Sequence, residues 1–83
     1  MEERRKERRI RTRGPVQLIT AETLVRGHIH NWAAGGACVA ADGALQVGAQ
    51  VRIDGEGFEA FGRVCNCRLS GDQYMIGLAL NTL

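Results

Sequence analysis

From Gly14 onward, apolar and polar residues alternate over short runs that end at glycine, and no segment keeps a 3.6-residue apolar period. This pattern predicts an almost entirely β chain. A first strand fits Pro15 to Thr20, with Pro15 at its edge, where the missing N–H is tolerated. A second fits Leu24 to Asn31. Strict alternation puts Leu24, Arg26, His28 and His30 on one face and Val25, Gly27, Ile29 and Asn31 on the other, one of the two faces turned inward.

The stretch Trp32-Ala33-Ala34-Gly35-Gly36 interrupts the alternation and reads as a loop, because paired glycines permit positive φ and a close approach of the backbone to a ligand. A third strand is expected at Ala37 to Ala41. After a turn through Asp42-Gly43, Leu45-x-Val47-Gly48 leads into a fourth at Gln50 to Asp54. Gly55-Glu56-Gly57 and Ser70-Gly71-Asp72 mark hairpin turns on either side of a long strand from Phe58 to about Leu69, and Gln73 to Leu80 is the last strand. Six such strands in an antiparallel meander predict an all-β fold, a small closed or nearly closed barrel.

Charge divides the chain at the same place as hydropathy. Within residues 1–13 seven basic side chains (Arg4, Arg5, Lys6, Arg8, Arg9, Arg11 and Arg13) face three acids, a net of +4 that leaves −2 on the rest of a chain whose formal charge is +2. With almost nothing apolar to bury, residues 1–13 are expected to be a flexible, arginine-rich segment suited to phosphates, ahead of a barrel domain at 14–83.

At 83 residues one domain with a modest core is expected, with no room for a separate catalytic domain. No run approaches the roughly 18 apolar residues of a membrane span, and the charged start lacks the apolar region of a secretory signal. Three cysteines, Cys38, Cys65 and Cys67, do not form a disulfide framework. These features predict a cytoplasmic protein with reduced thiols and no membrane association.

The arginine run and the Asn-to-Gly turn together carry a resemblance. Arg5-Lys6-Glu7-Arg8-Arg9 matches Arg-x-x-x-Arg, with Arg4 just before it, and Asn31-Trp32-Ala33-Ala34-Gly35-Gly36 matches Asp/Asn-x-Ser-x-x-Gly except that Ala33 stands in place of serine. The chain resembles the PilZ domain, a bacterial family of small β-barrels that bind cyclic di-GMP through these two motifs. Gly48, Gly62-Arg63-Val64 and Ile76-Gly77-Leu78 are similar to strand endings of the family. The pairs Arg4/Arg8 and Arg9/Arg13 also satisfy the first spacing; Arg5 and Arg9 are preferred for their distance from Asn31.

The resemblance implies that cyclic di-GMP is the ligand and that Arg4, Arg5, Arg9, Asn31, Ala33 and Gly36 bind it, with a downstream protein partner and no metal or cofactor. Elementary chemistry agrees with that assignment. A guanidinium offers forked donors to phosphate oxygens and stacks on purines, and the Asn31 amide can address a guanine edge.

Other readings of the same residues are blander. Trp32 is either a base-stacking platform or a barrel plug, and a lone tryptophan in a small β domain favours packing. His28-x-His30 and Cys65-x-Cys67 invite a zinc site, but structural zinc cysteines usually sit on tight turns two residues apart, so a solvent-facing histidine pair and small thiols are expected. Asp42, Asp54 and Asp72 belong to no recognised catalytic motif, so no enzyme is predicted. Two other functions remain: a PilZ-like module that has lost its ligand and binds only protein, motivated by Ala33, and a nucleic-acid-binding barrel, disfavoured because the few aromatics are not interleaved with the basic residues.

Overall fold

The computed structural model describes residues 14–81. Among the described residues there are six antiparallel strands: β1 (Pro15–Ile19), β2 (Leu24–Ala33), β3 (Gly36–Ala41), β4 (Gln50–Gly55), β5 (Phe58–Ser70) and β6 (Gln73–Leu80). They close into a barrel in the order β1-β2-β3-β6-β5-β4, with β4 pairing back onto β1. Closure leaves every strand with two neighbours and removes the unpaired edges of an open sheet.

The expected barrel is therefore present, but it is not a meander. β3 pairs with β6 rather than with β4. The reason lies in residues 42–49, which form no hairpin and instead cross from β3 to β4, with Leu45 buried at 5% exposure. The Gly48 N–H donates to the Val64 carbonyl and the Val64 N–H to the Ala49 carbonyl, which ties this crossing to β5. One buried leucine and two ladder-like hydrogen bonds thus do the work that a tight turn would otherwise do.

Alternation along the strands fills the interior. Leu18, Ile29, Val39, Ile53, Val64 and Ile76 are almost completely buried, and no polar or charged side chain among the described residues is buried with them. Most of the stability must come from this apolar cluster, at roughly 1.5–3 kcal/mol per buried side chain before the entropic cost of ordering.

Two β-bulges interrupt the alternation. On β2, Ile29 pairs with Val39 but Asn31 with Cys38, leaving His30 as the extra residue; on β5, Val64 pairs with Leu78 but Asn66 with Gly77, leaving Cys65. An extra residue reverses which face the following positions take. Trp32 therefore turns towards the core, meeting the Phe58 ring edge-to-face at 5.4 Å, and Asn31 turns to the outside. This corrects the expected face of Asn31, which strict alternation grouped with Val25 and Ile29. It also corrects the expected loop: β2 runs through Ala33, which pairs with Gly36, and only Ala34 and Gly35 form the turn. Gly35, at φ 82°, supplies the left-handed conformation that the turn needs.

Candidate functional site

The bulges determine what the outer surface of β2, β3, β6 and β5 presents. Three outward rows run across these four strands in register. His28, Ala40, Met75 and Arg68 make the first row; Asn31, Cys38, Gly77 and Asn66 the second; Ala33, Gly36, Ala79 and Arg63 the third. In every row the two middle residues are half-buried and the two end residues exposed.

The result is a band of mostly small side chains between longer polar ones, a shallow trough in side-chain height. Its floor is small apart from Met75, and its rims are polar: His28, His30 and Asn31 on β2, and Arg63, Asn66 and Arg68 on β5. With strands about 4.8 Å apart, β2 and β5 stand roughly 14 Å from each other across this face. On the β2 rim, His28, Ile29, His30 and Ala40 enclose a depression of about 320 Å³.

Of the residues expected to bind ligand, the structure brings Asn31, Ala33 and Gly36 to this face. Asn31 and Ala33 share the outer side of β2 two residues apart, and Gly36 lies directly across from Ala33. Arg4, Arg5 and Arg9 lie outside the described residues. The point from which they depart is defined: the Gly14 carbonyl accepts a hydrogen bond of 3.0 Å from the Ile29 N–H, immediately beside the His30 bulge. The chain therefore reaches the barrel at the rim that carries Asn31.

The β5 rim has no counterpart in the sequence pattern. Asn66 and Arg68 belong to no motif, Arg63 enters only through the strand ending Gly62-Arg63-Val64 and with no binding role, and their relation to Asn31 depends on a pairing between β3 and β6 that the sequence pattern does not disclose. The remaining chemistry is dispersed. Cys65 is exposed at its bulge, whereas Cys67 packs against the core, so the two thiols do not share a face, and the histidines stand on β2, three strands away. Among the described residues no cluster of three or more His, Cys, Asp or Glu side chains is placed to hold a metal ion.

A second concavity, about 750 Å³, lies between the β1–β2 turn at Thr20–Thr23 and the crossing segment at Ala44–Gln50. Among the described residues, none of Asn31, Ala33 and Gly36 lines it. Its Thr20 hydroxyl accepts hydrogen bonds from the Glu22 and Thr23 N–H groups, which completes a tight turn and is explained by structure alone. No helix among the described residues is long and apolar enough to cross a membrane.

No curated protein matches the chain. The family model for the PilZ domain matches residues 3–83, taking in the six strands, the Asn31-to-Gly36 hairpin and the arginine segment ahead of them. Because this match spans nearly the whole chain, including the strands of the closed barrel, the chain belongs to the PilZ domain family.

Proposed function

We propose that the protein is a receptor module for cyclic di-GMP. The nucleotide lies in the trough over β3 and β6, the arginine segment closes over it, and the altered surface is read by a protein partner. It acts by binding rather than by catalysis. The observation that carries this reading is the Gly14–Ile29 hydrogen bond, because it fixes Gly14, which follows the arginine segment directly, against β2 beside the His30 bulge and Asn31.

Chain geometry supports the closure. Arg9 is five residues ahead of Gly14, so an extended backbone spans up to about 17 Å between them, enough to reach across the trough of roughly 14 Å. Arg5 has further reach still. Phosphate oxygens would meet guanidinium forks, each such charge-assisted hydrogen bond contributing about 1.5–3 kcal/mol. A few of them suffice for micromolar affinity once the ordering of the segment has been offset.

Ala33 favours a second reading, a module that has given up the nucleotide and binds protein only. It places a methyl group on the trough at the motif's serine position. Limited trypsin digestion of the full chain separates the two. The receptor reading expects cleavage at the N-terminal arginines to slow markedly with saturating cyclic di-GMP, since a bound segment is withdrawn from the protease. Identical cleavage with and without millimolar nucleotide favours the second.

A further inference from the structure

Resting on that reading, we infer that β5 supplies a second binding wall, with Asn66 reading a purine edge from the side of the trough opposite Asn31 and with Arg63 and Arg68 neutralising phosphate charge. Asn31 and Asn66 occupy the two ends of one cross-strand row, separated only by Cys38 and Gly77. The site thus has an amide at each side of its floor, where the family's motifs supply only one.

The direction of the Asn66 side chain is informative. A Cβ built on Gly77 would lie 2.7 Å from the Asn66 amide nitrogen and 2.8 Å from its oxygen, so this side chain folds inward over the floor rather than out into solvent. The side-chain hydrogen bonds among the described residues involve neither Asn66 nor Asn31. An amide can both donate and accept, which matches the adjacent acceptor and donors on the edge of guanine.

The Cys65 bulge gives this arrangement its cause. Without the extra residue Asn66 would point towards the core; with it, Asn66 turns outward and Cys67 takes the inward position. The bulge on β2 does the same for Asn31 and Trp32. Two bulges on opposite rims therefore aim two amides at one floor. Charge follows the same division, because two of the four arginines beyond residue 13, Arg63 and Arg68, flank Asn66 on this rim, and neither has an ion-pair partner among the described residues.

Calorimetric titration of the full chain with cyclic di-GMP tests this, using Asn66→Ala, the double variant Arg63→Ala/Arg68→Ala, and Arg52→Ala as a control on the other side of the barrel. Asn66→Ala is expected to weaken binding about five- to tenfold and the double variant more than about tenfold, with melting temperatures near that of the parent. Arg52→Ala should bind as the parent does. Gly77→Ala, which pushes the Asn66 amide off the floor, should weaken binding in the parent but add little in the Asn66→Ala background. A parent that binds, with Asn31→Ala impaired but Asn66→Ala and the double variant unchanged, overturns the second wall and leaves the receptor reading intact. A parent that does not bind at millimolar nucleotide overturns both.

Discussion

The two outer faces of this barrel are built on the same interior and differ in what their polar groups do. Over β1, β4 and the start of β5, outward rows carry Gln17, Asp54 and Glu59, then Ile19, Arg52 and Phe61. Their charges answer one another: Arg52 reaches both Asp54 and Glu59 at 3.7 Å. The face over β2, β3, β6 and β5 has histidines and an amide along one rim, an amide and two guanidinium groups along the other, and mostly small residues between them, with no ion pair among the described residues. A surface whose charges pair with each other is complete, whereas one whose polar groups converge on an open floor is equipped for a ligand.

The largest expected effect contrasts a glycine of the interior with one of the trough floor. A Cβ on Gly62 would lie 2.2 Å from the Ala79 carbonyl oxygen, a backbone atom that can yield only if the β5–β6 ladder moves. On Gly77 it meets only the end of the Asn66 side chain, which can swing away. Gly62→Ala is therefore expected to cost at least about 2 kcal/mol in denaturant unfolding and Gly77→Ala less than about 1 kcal/mol. Equal costs would mean that the floor is as tightly packed as the interior.

Next in size are the motif residues of the binding face. Arg5→Ala or Arg9→Ala should weaken cyclic di-GMP at least tenfold, about 1.4 kcal/mol, in a calorimetric titration. If Arg4→Ala and Arg8→Ala are the damaging pair instead, the register of the arginine motif moves by one residue while the site stays. Loss of affinity on changing any arginine, those of the paired face included, would erase the distinction between the faces.

A smaller, opposite change is expected at Ala33. Its side chain faces outward beside Gly36, so Ala33→Ser would place a hydroxyl on the trough and should strengthen binding by about 0.5–1.5 kcal/mol, the net value of one hydrogen bond. Melting should hardly change. Unchanged or weaker binding would indicate that the ligand does not reach this end of the trough.

The smallest effect belongs to the paired face. Arg52→Ala breaks two exposed ion pairs and should alter stability by less than about 1 kcal/mol, with no effect on nucleotide affinity. A change in affinity would show that the faces are coupled.

Much of the barrel was legible because period-two alternation and glycine turns are local signals. The Glu56-Gly57 and Gly71-Asp72 turns, and five of the six strands to within one residue at each end, follow from them. The β3-to-β6 pairing was not legible, since it depends on where residues 42–49 travel, and nothing local distinguishes a crossing segment from a long hairpin loop. The bulges were equally silent. His30-Asn31 and Cys65-Asn66 look like ordinary strand residues, and only the partner strand shows that two residues oppose one. Hence the motif that singles out Asn31 does not give the face it takes, and no motif singles out Asn66.

The central claim, that the trough and not the paired face seats the nucleotide, is tested most directly by an amide NMR titration of isotope-labelled protein with cyclic di-GMP. The largest shifts are expected on Asn31, Gly36, Cys38, Asn66 and Gly77, while Arg52, Asp54 and Phe61 stay in place. Shifts concentrated on the paired face or in the Thr20–Gln50 cleft, or none at millimolar nucleotide, would contradict it.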